Sequence, residues 1–474
     1  MRAHTRFIAS LLFTTCCVLP TRSESNWPQF RGPGGLAMAA EGKAPVHFGP
    51  DSNVVWKTSL PAGHSSPCLW GERIFLTGVR DRKLETLCLD RRDGKVLWRR
   101  TAPAEKMEST QRIASPAAST PTTDGNRVYV YFGSCGLLAY DLEGKERWRR
   151  LLPQPVVEFG TGTSPILAGD LLILVRDQDE GSHLLALDKH TGKTAWRIER
   201  PEFRRGFATP FLWQHDGEEE LIVPGSIWLK SYNVQDGSER WTYSGTSRVP
   251  CSSPTAGDGL LFSASWNIGG DEGARVTMEP FAEFARDHDR NKDGRLTPDE
   301  IPDGPVKERY SLMDLNKDQA VSPAEWASMA EMFARTRNAL LAIRPGGQGD
   351  ITSTHLAWKV TRGLPYVCSP LYYRGRVYTV KNGGLVSCYD ARTGKPHFQE
   401  ERLGAVGDYY ASLVGADGKV YAASQNGVVT VFEAGDSLHV LAQNKLGEQI
   451  FATPAVVEGK LYLRTTGHLY AFEE

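Results

Sequence analysis

Two short stretches of this chain carry oxygen donors at a spacing that chelates a hard cation. In the first, Asp289, Asn291 and Asp293 alternate, Gly294 follows, and Arg295, Thr297 and Glu300 complete twelve positions. Ca²⁺ takes six to eight oxygens, and a loop of this length supplies them in turn. Asp289, Asn291 and Asp293 offer side-chain oxygens and Gly294 permits the sharp turn. Arg295 offers its carbonyl, Thr297 the ninth position and Glu300 two carboxylate oxygens. The pattern returns as Asp314, Asn316, Asp318, Ala320, Ser322 and Glu325. Gln319 stands there in place of the turn glycine, so the second site is expected to be the weaker. Leu296 is expected to pack against the partner loop. Phe281, Phe284 and Ala285 share one helical face by their i, i+3, i+4 spacing. Met278, Met313, Met329 and Met332 fall in the same region, and we read them as its core.

Other reactive residue types do not gather. The eleven histidines include no HExxH pair, and neither a Gly-x-Ser-x-Gly elbow nor a phosphate-binding loop occurs. A net charge of −1 argues against a nucleic-acid binder, which would show a basic excess. Cys68, Cys88, Cys135, Cys251, Cys368 and Cys388 show no metal-binding spacing. His64, Arg204, Arg205, Tyr366, Tyr409 and Tyr410 precede strand-like runs and are expected near a channel mouth, mostly as hydrogen-bonded rim residues.

The chain opens with an address. Arg2 and Arg6 precede an apolar run, 7–19, which Pro20 ends. Residues 1–23 read as a signal peptide, too short for a membrane-spanning helix. Phe13 and Thr15 make a poor lipidation site of Cys16, so no lipid anchor is expected. The expected location is periplasmic or extracellular, with no transmembrane segment in the mature chain.

A repeat organises nearly everything else. The phrase Asp-x-x-x-Gly-Lys-x-x-Trp occurs at Asp90 to Trp98 and Asp188 to Trp196, and in shortened form at Asp141 to Trp148. It is weaker at Asn233 to Trp241 and returns at Asp390 to Phe398. A second phrase, Ser/Thr-Pro, falls in the same period at Ser66, Thr120, Ser164, Thr209, Ser253, Ser369 and Thr453, with Ser412 in that place once without proline. Between them lie runs such as 127–132 and 419–423, rich in β-branched and aromatic residues. Four antiparallel strands per 40–50 residues define a propeller blade. The expected fold is an all-β eight-bladed propeller with a small α-helical insertion in blade five. First strands are expected near His64, Ser119, Thr163, Ala208, Ser252, Cys368, Ala411 and Ala452. The last unit has no fourth strand of its own, and residues 53–57 are expected to supply it. The propeller then covers 26–268 and 339–474, and the insertion 269–338.

The repeat, the blade count and the opening Asn26-Trp27-Pro28-Gln29-Phe30-Arg31-Gly32-Pro33 resemble the PQQ-like, or quinoprotein-dehydrogenase-like, propellers. The insertion resembles a paired EF-hand module. The first resemblance implies either a non-catalytic envelope assembly factor or a PQQ-dependent alcohol or sugar dehydrogenase. Such dehydrogenases use a catalytic Asp, cofactor-bound Ca²⁺ and usually a disulfide between adjacent cysteines. The only adjacent pair here is Cys16-Cys17, inside the signal segment, and no Asp falls on a matching motif. The sequence therefore favours a non-catalytic, calcium-binding scaffold whose partner is another exported or envelope protein, without PQQ.

Overall fold

The computed structural model describes residues 26–39, 42–273 and 275–474. The signal-peptide reading lies outside them. Among the described residues, eight sheets follow one another along the chain. Seven are four-stranded and one has gained a fifth strand. Their middle strands are mostly buried: every residue of Gly136–Asp141 is, because neighbouring blades cover both faces. The fourth strands are half-exposed and most carry a large buried anchor, as in Glu146–Leu151, where Trp148 is buried.

The repeat phrase turns out to be a joint between blades. Trp98 donates its indole N–H to the carbonyl of Leu142 in the next blade at 2.9 Å. Its ring lies over Gly144, where an added Cβ would come within 2.6 Å. Trp56 sits likewise on Gly94, Trp148 on Gly192, Trp196 on Gly237 and Trp358 on Gly394. Each glycine has positive φ and no room for a side chain, so two independent demands fix it. Trp241 is the exception. The following blade has a longer outer loop there, and Gly349–Asp350 adds a parallel strand beside Trp241 and Thr242. Trp241 donates instead to the buried carboxylate of Glu220 at 2.6 Å, which His215 also contacts at 2.9 Å.

The Ser/Thr-Pro phrase was expected to begin the first strand of each blade, and here the structure corrects the reading. Seven of the eight first strands start immediately after the proline, as at Cys68–Trp70, Ile166–Ala168 and Leu371–Tyr373. Proline has no N–H for the ladder, so the strand begins beyond it. The residue before it serves the axis. Ser66 N–H donates to the hydroxyl of Thr120, Thr120 to Ser164, Ser164 to Thr209 and Thr209 to Ser253. Ser253 then donates to Ser369, Ser369 to Ser412, Ser412 to Thr453, and Thr453 back to Ser66. These bonds, 2.9–3.1 Å long and buried, close a circle around the axis.

Two further devices complete the ring. Val54–Ser59 pairs antiparallel with His468–Phe472 and becomes the outer strand of the last blade. The segment 26–39 crosses one end of the axis. Trp27 bridges to Leu69, Arg31 donates to the carbonyls of Pro254 (3.0 Å) and Pro370 (2.6 Å), and Met38 bridges to Gly415. Arg31 is buried without a carboxylate, and burial lowers its pKa to about 9.

The chain leaves blade five after Leu260–Ser265 and returns at Ala339–Ile343. Between them lie helices α1 (Phe281–His288), α2 (Tyr310–Met313) and α3 (Pro323–Arg335). Ser322 and Glu325 form a reciprocal capping box on α3, which satisfies two otherwise orphaned N–H groups. Leu296, Ile301, Met313, Val321, Trp326, Met329 and Phe333 make a separate small core, with Met278 and Met332 against it. The four methionines are thus accounted for by packing. Among the described residues no helix is long and apolar enough to cross a membrane.

Candidate functional site

The two acidic loops lie back to back between the helices. Leu296 and Val321 exchange both backbone hydrogen bonds, at 3.0 and 2.8 Å. In the first loop Asp289 accepts the Gly294 N–H (2.9 Å), Asn291 that of Asp293 (2.9 Å) and Asp293 that of Arg295 (2.8 Å). Glu300 closes the loop by accepting from Arg290 N–H and from Thr297 N–H and hydroxyl, at 2.8–3.0 Å. Those donors, the Thr297 N–H first, hold the Glu300 carboxyl below the usual range. Asp289 Oδ1 is left buried without a partner.

The second loop repeats the geometry. Asp314 accepts the Gln319 N–H at 3.0 Å, Asn316 that of Asp318 at 3.1 Å and Asp318 that of Ala320 at 3.1 Å. Glu325 accepts from Leu315 N–H and from Ser322 N–H and hydroxyl, at 2.7–2.9 Å. Lys292 and Lys317 share a positive φ of 60° and 57°, and Gly294 and Gln319 share one of 79° and 67°. Gln319 therefore holds the backbone shape that the first loop assigns to glycine. The Arg295 guanidinium crosses between the loops onto Asp318 and the Ala320 carbonyl. The oxygen donors are of the kind a hard cation takes, and Asp289 Oδ1 has no hydrogen-bond partner. Among the described residues no three His, Cys, Asp or Glu side chains converge as a preformed cage, since each carboxylate is turned onto its own loop's N–H groups.

A second site lies at the propeller axis. A cup of about 670 Å³ opens there, with Phe30 in its floor and Arg309, Ser311 and Leu312 of the inserted segment in its wall. His64 stacks on Phe451 at 4.0 Å, Tyr410 lies 5.5 Å from Phe451, and Trp266 meets Tyr366 edge-on at 5.9 Å. Burial, with Arg464 nearby, lowers the His64 pKa to about 4, so the ring is neutral at pH 7. Four of the rim residues expected from the sequence, His64, Arg205, Tyr366 and Tyr410, do line the cup. Arg204 lines an adjoining cavity of about 290 Å³ beneath the inserted helices. Tyr409 does not belong: it is buried, and its hydroxyl donates to the Ala405 carbonyl. Sequence reading missed Arg248 and Arg309. A signal for Arg248 existed, since it stands as far before Ser253 as Arg204 stands before Thr209. All six described cysteines are free, and none is adjacent to another.

An eight-bladed ring with Trp–Gly joints and a blocked axis defines a class of propeller, and comparison with known proteins places the chain within it. The sequence profile described as outer membrane protein assembly factor BamB matches residues 33–155, 85–253 and 347–474. The chain belongs to that family. No curated protein matches it. Among solved structures, BamB from Moraxella catarrhalis is 12% identical with a TM-score of 0.53, covering 88% of this chain and 98% of its own. Quinohemoprotein alcohol dehydrogenase ADHIIG from Pseudomonas putida HK5 is 12% identical with a TM-score of 0.55, covering 95% and 80%. A europium-containing methanol dehydrogenase is 12% identical with a TM-score of 0.53, covering 96% and 99%. At such identities these likenesses are of fold alone.

Proposed function

We propose that this protein is an exported, calcium-binding propeller that acts as a non-catalytic scaffold for another exported or envelope protein. The observation that carries the calcium reading is the pair of back-to-back twelve-residue loops, read as an EF-hand pair inserted in blade five, with the Asp289 oxygen buried and unpartnered. Asp289, Asn291, Asp293, Thr297 and Glu300, with the Arg295 carbonyl, would hold one Ca²⁺. Asp314, Asn316, Asp318, Ser322 and Glu325, with the Ala320 carbonyl, would hold a second, more weakly. Calcium is abundant outside cells, where sites of about 10⁻⁴ to 10⁻³ M suffice, so we assign it a structural role. The scaffold reading is supported by family membership and by the absence of adjacent cysteines among the described residues.

Calorimetry tests the metal sites. Wild type is expected to release heat on calcium addition, and Glu300→Ala to lose the tighter event. A flat wild-type trace would remove the calcium reading. The scaffold is tested by pull-down from an envelope extract, compared with and without chelator. Dye-linked alcohol oxidation after PQQ and Ca²⁺ addition is expected to stay at background, and turnover would favour a quinoprotein dehydrogenase instead.

A further inference from the structure

Beneath the floor of the cup, on the other side of Phe30, lies a groove of about 700 Å³. Leu36, Trp70, Leu167, Phe211 and Leu212 line it, with Arg31 and Asp124 as its charged residues. The segment 26–39 shows what this end of the ring takes. Trp27 and Leu69 exchange both backbone hydrogen bonds, at 2.9 and 2.8 Å, and Pro28 accepts the Thr123 N–H at 2.9 Å. Gly415 donates to the Ala37 carbonyl and accepts the Ala39 N–H, both at 2.9 Å. Leu69, Thr123 and Gly415 hold one place in blades one, two and seven, opposite Ile74, Val128 and Val420. Opposed residues of an antiparallel pair alternate between bonding each other and pointing outward, and these three turn their backbone groups to the axis. Leu167 and Leu212 hold the same place in blades three and four, opposite Leu172 and Leu221. Both line the groove, and neither has a backbone partner on that side among the described residues. Arg31 adds a further unmade bond. It is 1% exposed, and its Nε is buried and unpartnered. A peptide offers the donors and acceptors that such edges lack, together with apolar side chains.

We propose that the groove binds a short, extended, uncharged and apolar peptide of another polypeptide, whose backbone bridges Leu167 and Leu212 as Trp27 and Pro28 bridge Leu69 and Thr123. Trp27 and Pro28 are consecutive and reach adjacent blades, so a few residues span blades three and four. The lack of charge follows from the two charged residues present. Asp124 is already paired with Lys189 at 3.4 Å, so no free carboxylate awaits a cation. The Arg31 Nη atoms are spent on the carbonyls of Ser253, Pro254 and Pro370, which leaves one Nε–H for a peptide carbonyl and no fork for a carboxylate. The groove is separate from the cup and from the acidic loops, and its occupancy needs no calcium.

The test is a titration of the whole protein, followed by calorimetry, with two synthetic peptides. One is acetyl-Asn-Trp-Pro-Gln-Phe-amide, built on the segment that bridges blades one and two. The other is the same peptide methylated at the tryptophan nitrogen, which keeps the side chains and loses one donor. One equivalent of the first is expected to bind, about fivefold tighter than the second, as one backbone hydrogen bond implies. Leu167→Pro and Leu212→Pro each remove an outward N–H and leave the ladder on the other side, and each is expected to weaken the first peptide about fivefold. If the proline variants do not melt cooperatively, the two peptides on wild type decide. No binding to wild type, equal affinities for the two peptides, or full affinity kept by folded proline variants would overturn the proposal. A dimer of the unliganded protein in sedimentation that Leu212→Pro dissolves would also overturn it, with a second copy as the occupant.

Discussion

Gln319 holds a φ of +67°, a region that side chains other than glycine enter at a cost of about 1–3 kcal/mol. Metal binding and ordering of such a loop are coupled, so relief of the strain is expected to appear as affinity. If the loops bind calcium as proposed, Gln319→Gly should tighten the second loop's affinity about fivefold or more, read by calorimetry, while the first loop's is unchanged. His64 makes a prediction about acid. Its ordinary pKa of 6.5 falls to about 4 in the folded protein. Below pH 6.5 the unfolded chain takes up a proton that the folded chain refuses. Stability is therefore whole above pH 6.5 and is lost as pH falls toward 4, by about 3 kcal/mol for this group. His64→Phe keeps the stack on Phe451 and should flatten that part of the profile, measured by urea melts at pH 7 and 4.5. At this scale the sequence was legible where the residues of one loop are consecutive. The loop residues sit within twelve positions and announce their geometry. Arg248 and Arg309 are lone residues far apart in sequence, and only the fold brings them to one cup.

The elements show a similar division between what is local and what is not. Asp-x-x-x-Gly-Lys-x-x-Trp could be read as a turn followed by a strand, because both lie inside the phrase. Its purpose could not, because each glycine answers the tryptophan of the blade before. Gly192 receives Trp148 rather than Trp196. The Ser/Thr-Pro phrase misled by a few residues for the same reason: its hydroxyl serves the neighbouring blade and its proline bars the strand from starting sooner. Ser164 accepts the Thr120 N–H at 3.0 Å in a buried setting. Ser164→Ala would leave that donor unsatisfied, and we expect a loss of about 1–3 kcal/mol in urea unfolding. Ser164→Thr should restore most of it, since Thr120, Thr209 and Thr453 already fill equivalent places.

For the whole molecule, the inserted helices stand between two paired strands of blade five. Ser265 and Ala339 are cross-strand partners, so the two strands they end are already a hairpin awaiting a turn. Replacing residues 266–338 by Asn-Gly should close it with a tight turn. The shortened protein is expected to keep its β-sheet circular dichroism and cooperative melt and to give no calcium heat; a loss of the melt would mean the helices brace the ring. The closing strand has a consequence in time. Val54–Ser59 is made about 400 residues before His468–Phe472, the strand it must pair with. Arg31 likewise waits for the carbonyls of Pro254 and Pro370. Until then the nascent chain carries a bare strand edge and an unsatisfied guanidinium, which invite a holding chaperone or a protease. A chain that stops short of His468 never leaves that state. Pairing strands that lie so far apart in the chain thus makes closure of the ring wait until every blade between them has been made.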